Sequence, residues 1–572
     1  MENNKTINSL FGYLLILFLL ISFSTSSAKA QEEADTTDTT EVSDTTNVEE
    51  PSPLPDFVPI PDRWRSIIPP PYEVNVTSGK FDPYNRSKIK GDYPIIGDHI
   101  FLSLTGTLMS LTEVSKVPTH SGVSTAEPLS QDFFGEPERL FLLNNFIFTL
   151  ELYKGQTAFE PRDWEIKITP EFSLNYLKLN ENNGVNINPR KGKTRSDNHL
   201  GFQELSFEKH LFNISDRFDF ISLKAGIQKF GSDFREFIFN DYNLGVRLLG
   251  NYDNNKYQYN LIYFDLIEKE TNSELNTVFD ERKQQVFIAN LYKQDFGRLG
   301  YTTQISFHYN KDKASVHYDE NGRPVRPGVV GFIRPHEIKS YYLGWAGDGH
   351  LGVWNITHAL YQVFGTDSYN QFANQKVDIN AQMGAIELSI DKDWKRYKIS
   401  AFYASGDANP MDDKARGFDA IIDQPFFAGG HFGYWQQQGI GLQGVALVHK
   451  FSFLPSLRSN KLEGQSNFVN PGFFLLNFGF DAEWTPKLKS VFNVSYLSFV
   501  NTRVLVHFLN QPDIDKGIGL DLSLGIIYRP FLSNNAIFTF GASALSPFNG
   551  FEDIYETSDL QYSLFTSLQF TY

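Results

Sequence analysis

The stretch Leu560-Gln561-Tyr562-Ser563-Leu564-Phe565-Thr566-Ser567-Leu568-Gln569-Phe570-Thr571-Tyr572 decides how the rest of the chain is read. Its even positions are Leu, Tyr, Leu, Thr, Leu, Phe and Tyr, and its odd positions are Gln, Ser, Phe, Ser, Gln and Thr. A period of two puts these sets on opposite faces of a β-strand. One face is apolar and ends in two aromatics, and the other is mostly short and polar. A strand between lipid and a wet interior needs that division.

Composition is consistent with many such strands. The 572 residues include 52 Phe and 27 Tyr, yet mean hydropathy is only −0.31, because such a strand is apolar at every second position. Past residue 30 no run of 18 apolar residues occurs, so no membrane-crossing helix is expected. The absence of Cys excludes disulfides, thiolate metal sites and a lipidated Cys. A formal net charge of −16 argues against nucleic acid as a partner.

Residues 1–30 read as a secretory signal: Lys5, an apolar Leu10–Phe23, then Ala28-Lys29-Ala30 before Gln31. Residues 31–50 hold eight acids and no base, and Pro51 to Pro71 carries eight prolines. Together 31–72 predicts a disordered, partly polyproline linker on the periplasmic side. Residues 73–572 predict one all-β unit, a transmembrane antiparallel outer-membrane β-barrel.

Eighteen candidate strands follow, near 98–110, 139–153, 162–178, 199–211, 217–228, 243–251, 256–267, 283–294, 298–309, 336–346, 350–364, 377–391, 395–405, 471–484, 488–500, 515–528, 535–545 and 559–572. Turns rich in Asp, Asn, Gly and Pro, such as Asp253-Asn254-Asn255 and Gly347-Asp348-Gly349, alternate with long polar stretches at 111–138, 179–198, 268–282, 310–335 and 365–376. Short periplasmic turns and long outer loops are the barrel pattern. Counting back from Tyr572 makes 406–470 a single outer connection, unless it holds an even number of further strands. Its length and its aromatics predict a lid or a constriction folded into the lumen.

The polar faces supply pore-lining candidates: Lys167, Glu171, Lys224, Gln228, Arg247, Lys398 and Asp521, with Glu165, Glu204, Glu208 and Asp378 adding acid. Asp407, Asp412, Asp413, Arg416 and Asp419 are candidates for the loop constriction. The carboxylates of Asp407, Asp412 and Asp413 can in principle hold Ca²⁺, but their spacing is not that of an EF-hand, and pairing with Lys414 and Arg416 is the simpler reading. No metal or other cofactor is expected. No Gly-x-Ser-x-Gly or His-Glu-x-x-His occurs, so no enzyme is expected; His308 and His358 read as single lumen or girdle residues.

Two stretches resemble the alginate-export family of outer-membrane porins. One runs from Ala225-Gly226-Ile227-Gln228 through Phe234-Arg235 to Gly245-Val246-Arg247; the other is Ser405-Gly406-Asp407-Ala408-Asn409-Pro410 followed by Gly417-Phe418-Asp419. The resemblance implies an eighteen-stranded monomeric barrel, and founding members that export an acidic polysaccharide through an electropositive pore. The closing strand also resembles the signal read by the barrel-assembly machinery, with Phe570 and Tyr572 as its aromatics.

These readings lead to a porin-like channel for small hydrophilic solutes or oligosaccharides in a Gram-negative outer membrane, in contact with lipid bilayer and lipopolysaccharide. The alternatives are a polysaccharide exporter and a structural envelope barrel with a plugged pore. A ladder of Arg and Lys in the lumen would favour polyanion export; mixed acidic and basic rows would favour small solutes.

Overall fold

The computed structural model describes residues 87–97, 99–117, 135–155, 161–182, 184–217, 219–437 and 451–572. The expected signal segment and linker lie outside these residues. Nineteen strands form one sheet, and one of them, Lys414–Ala415, has only two residues. The other eighteen close a barrel.

In chain order they are β1 Ile100–Lys116, β2 Gly135–Lys154, β3 Trp164–Glu181, β4 Thr194–Asn213, β5 Phe220–Gly231, β6 Asn240–Tyr252, β7 Tyr257–Lys269, β8 Asn276–Lys293 and β9 Tyr301–Asp312. They continue as β10 Ile338–Leu351, β11 Trp354–Asn370, β12 Gln375–Lys392, β13 Lys395–Ala404, β14 Phe473–Thr485, β15 Leu488–Phe499, β16 Gly517–Tyr528, β17 Ala536–Pro547 and β18 Gln561–Thr571. Each candidate strand coincides with one of these, and each strand pairs antiparallel with the next.

Closure follows from β1 pairing with β18, from Thr107↔Thr571 to Lys116↔Tyr562. Tyr572 and Gly106 then exchange two backbone hydrogen bonds of 2.8 Å. No edge is left along this seam, as a barrel in lipid requires.

The connections obey the expected parity. On the side of the termini they are short, for instance 253–256, 393–394 and 486–487. Asp253, Asn254 and Asn255 all take left-handed φ (56°, 56° and 61°), a conformation Asn and Asp tolerate. The opposite side carries 405–472 as one connection, together with 313–337 and 500–516.

Two expected long loops are mostly strand. β11 runs to Asn370 and β12 starts at Gln375, so 365–376 is a four-residue turn flanked by strand, and β8 already begins at Asn276. Polar composition was misleading there because strands that rise above the lipid are wet on their outer face. The turn expected at Gly347–Gly349 belongs to β10, and the chain reverses at 352–353.

The outward face carries the apolar belt. On β18 Leu564, Phe570 and Tyr572 are exposed, whereas Gln561, Ser563 and Phe565 are buried inward. On β16 Leu522, Leu524 and Ile526 face out while Asp521, Ser523 and Gly525 face in.

On β12 the faces invert along the strand. Near its lower end Ile386 is exposed outward, but above it Val377, Ile379, Ala381, Met383 and Ala385 are buried inward. Asp378 therefore points outward, not into the lumen as expected. The register of β12 on both neighbours is unbroken there, so this is a change of environment and not a bulge. Its cause lies inside the barrel.

Candidate functional site

The lumen is filled from one side by two segments distant in sequence. The first is the tip of the β5–β6 hairpin. Pairing of β4 with β5 stops at Leu205↔Ile227, and pairing of β6 with β7 starts at Leu244↔Asp265. Beyond those points the hairpin leaves the wall and crosses the interior. The amides of Asn290 and Gln304 donate to the Ser232 carbonyl (2.7 and 2.6 Å), and the Tyr361 hydroxyl donates to Asp233 (3.0 Å). Arg235 reaches Thr357 on β11 (2.9 Å) and Glu387 on β12 (3.2 Å).

The departure is made at two facing glycines, Gly226↔Gly245. Gly226 has φ +117°, and a Cβ there would lie 2.2 Å from the Leu205 carbonyl oxygen; a Cβ on Gly245 would lie 2.4 Å from that of Tyr263. Only glycine permits that approach. These are the glycines of the first quoted motif, so the motif encodes a bend.

The second segment comes from the long connection 405–472. Its residues 421–426 run beside the hairpin tip: Ile421 and Ile422 donate to the Ile238 carbonyl (3.1 Å each), Asn240 to Ile422 (2.8 Å) and Gln424 to Glu236 (3.0 Å). The two quoted motifs thus lead into segments that hydrogen-bond to each other. Farther on the loop docks on the opposite wall. The backbone N–H groups of Trp435 and Tyr434 donate to Asp521 (2.9 and 3.3 Å), and Phe432 stacks on Phe565 with ring centres 5.9 Å apart. Trp435 lies parallel to Phe473, 5.3 Å away.

These segments pack an apolar core against the inward faces of β7, β8 and β10 to β15, including Phe264, Val363, Phe402, Phe418, Phe427 and Phe499. This core explains the inversion on β12: its upper inward face meets protein, and its upper outward face meets water. Within the loop Arg458 is buried and donates to Asp419 (3.2 Å) and to the Ile421 carbonyl (2.9 Å), and Asn467 N–H donates to Asp419 (2.7 Å). Burial pushes the Asp419 carboxyl up to about 6, only partly offset by Arg458.

The five loop candidates do not form a narrow point. Asp407 accepts from the backbone N–H groups of Asn409 (2.9 Å) and Arg416 (3.0 Å), and Arg416 makes a two-pronged contact with Asp412 (2.9 and 3.1 Å). Asp378 N–H donates to the Asp413 carbonyl (2.9 Å), and Lys414–Ala415 pair parallel with β12. Asp407, Asp412, Asp413 and Arg416 therefore root the loop in the rim, and Asp419 holds its interior together. Of the carboxylates considered for Ca²⁺, those of Asp407 and Asp412 already serve Arg416 and backbone donors. What reaches deepest is the aromatic stretch 426–435, where Phe432 packs with Val491 and Phe565.

The remaining side of the lumen, along β1 to β6, is polar. Here lie Lys167, 2.9 Å from Glu204 and 3.3 Å from Glu151; Lys224, 3.8 Å from Glu208; and Arg247, which donates to Asn260 (2.8 Å). Glu171 accepts from Asn145 (2.7 Å). Gln228 is fully buried at the bend and donates to the Gly245 carbonyl (3.2 Å). Lys398 pairs with Asp481 at 2.7 Å on the far wall, and Asp521 is the dock of the loop. Between the polar wall and the partition lies a cavity of about 470 Å³, bordered by Leu143, Glu171, Arg195, Lys229, Tyr242 and Gln424 among others. His308 is buried in the apolar core, whereas His358 sits on the outer face against Trp345 and the Tyr301 hydroxyl (2.7 Å).

An eighteen-stranded antiparallel barrel with an apolar outer belt, a polar cavity and inward-folded loops defines the class: a transmembrane β-barrel of outer-membrane type. Solved structures with a similar overall fold include Pseudomonas aeruginosa OpdQ (10% identity, 83% of this chain and 99% of that one, TM-score 0.46) and OccK5 (OpdH) from the same organism (11%, 82% and 98%, 0.44). A BenF-like porin from Pseudomonas fluorescens Pf-5 is similar too (9%, 82% and 98%, 0.45). No protein-family model matches the chain, and no curated protein does, so its likeness to the alginate-export family stays a resemblance of two motifs.

Proposed function

We propose that this protein is a channel for passive diffusion of small hydrophilic solutes across a Gram-negative outer membrane, with the passage on the β1–β6 side of the lumen. The observation that carries this is the polar cavity of about 470 Å³ between that wall and the partition. A water-filled lumen with charges fixed on its wall selects by size and by electrostatics and needs no reaction chemistry. The charges form mixed pairs, as in Lys167 with Glu151 and Glu204, not an unbroken cationic ladder. That mixture favours small solutes over polyanion export. In this reading a secretory signal and a periplasmic linker precede a monomeric barrel, and Phe570 and Tyr572 address the barrel-assembly machinery.

The test is single-channel recording of the full-length protein in planar bilayers. Discrete current steps in KCl are expected, with weak ion selectivity by reversal potential. An absence of conductance would instead support a structural barrel with a plugged pore, and strong anion selectivity would revive polyanion export.

A further inference from the structure

Most charges around the cavity are neutralised within the protein. Lys269 pairs with Asp241 at 2.9 Å, and Lys461 with Asp423 at 3.8 Å. Glu171 and Lys229 differ. Glu171 is only 8% exposed, and its one contact among the described residues is the hydrogen bond from Asn145. Lys229 makes no salt bridge there, although its charge acts on Glu236 at longer range; its Nζ rests 5.4 Å from the centre of the Tyr242 ring. Asn145 is 6% exposed, and its own Oδ1 has no partner among the described residues.

These groups belong to different walls of one cavity. Glu171 and Asn145 project from β3 and β2, and Lys229 and Tyr242 from the hairpin that bends away at Gly226 and Gly245. A buried carboxylate with a single neutral donor is costly, and an ion of opposite charge offsets that cost. An acid and a base on separate walls, too far apart to pair with each other, offer a matching partner to a solute that carries both charges.

We propose that this cavity is a binding station for a zwitterion, a free α-amino acid or a short unblocked peptide. Its ammonium sits on Glu171 and Asn145 Oδ1, and its carboxylate on Lys229. The station rests on reading the lumen as a solute passage, and binding can be measured without conduction.

The test is calorimetric titration of the full-length protein in detergent with glycine, diglycine and triglycine, and with the N-acetyl and C-terminal amide forms of each. Saturable binding of at least one zwitterion is expected, weakened about tenfold or more by either block, since each removes a charge-assisted contact. Glu171→Gln should weaken the zwitterion and the amide but leave the N-acetyl form unchanged. Lys229→Gln should weaken the zwitterion and the N-acetyl form and leave the amide unchanged. A wild-type melting temperature and unchanged heat-modifiability on gels show that each variant is folded. Should Glu171→Gln misfold, Asn145→Ser, which removes the Oδ1 acceptor, reports on the same pole. Equal binding of blocked and unblocked forms, no binding at all, or variants without this selectivity would overturn the proposal. A protein that conducts but binds no zwitterion remains a channel; one that binds without conducting loses the channel reading alone.

Discussion

The two sides of the lumen show how one barrel wall can serve opposite ends. Along β7, β8 and β10 to β15 many inward side chains are those of a soluble core: Ile262, Phe264, Val286, Ile288, Val363 and Phe402 are all at most 2% exposed, although Gln304, His308 and Asn310 of β9 are buried polar groups. Along β2 to β6 the corresponding positions hold Glu151, Lys167, Glu204, Glu208, Lys224 and Arg247. The strands do not differ in kind. What differs is their neighbour inside: packed hairpin and loop on one side, and on the other a lumen that leaves Lys167 and Glu151 23% exposed. Deleting residues 406–470 would therefore not simply widen a pore, because it would strip the cover from an apolar wall.

The comparison breaks most severely at Arg458. Arg458→Ala leaves Asp419 buried without its cation, which costs on the order of 3–5 kcal/mol. It should lower the melting temperature and make the channel current noisy as the loop loosens. Next is the bend. Gly226→Val puts a branched side chain at φ +117° against the Leu205 carbonyl, for a loss of roughly 2–4 kcal/mol by overpacking and strain. Heat-modifiability on gels should show a less stable barrel.

A pH effect comes third. Asp419 titrates higher folded than unfolded, so the folded state takes up its proton first, and stability rises as pH falls. The gain is complete below the unfolded value near 3.8 and is lost as pH rises through about 6. Melting curves between pH 4 and 7 should show this slope, and Asp419→Asn should flatten it.

The smallest change in stability is expected on the polar side. Lys167→Gln alters a partly exposed cluster and should cost less than about 1 kcal/mol. It should nonetheless shift the reversal potential toward cations by leaving Glu204 unopposed, while Glu151 keeps Arg162 at 3.3 Å. A large loss of stability there would erase the contrast between the two sides.

The barrel was legible because period-two alternation survives in every strand, and parity from the closing strand placed 405–472 correctly. Alternation divides a strand into two faces without saying which one is inside, and the lipid rule was carried too far up β12. The signal was present: apolar residues occupy odd positions from Val377 to Ala385 and even positions from Ile386 to Ile390, with no extra residue between. Such a switch marks where a strand leaves the membrane. The charged wall residues Lys167, Lys224 and Arg247 were legible as inward. The loop candidates were chosen for charge, while the groups that go deepest, Phe432 and Trp435, are apolar because they dock on protein. Glu171 and Lys229 could not be paired from sequence, because the bend that brings Lys229 to the cavity is a tertiary event.

Phe565 is the one large aromatic that the closing strand turns inward, and it meets His431 and Phe432 of the inserted loop. The loop's dock is therefore partly made of the last strand in the chain. Its final seat does not exist until β18 is in place beside β17 and β1, so filling of the barrel must follow its closure, or coincide with it. Until then Phe432 lacks its partner and β1 and β17 are open edges, which a chain halted before β18 would present as a surface for aggregation.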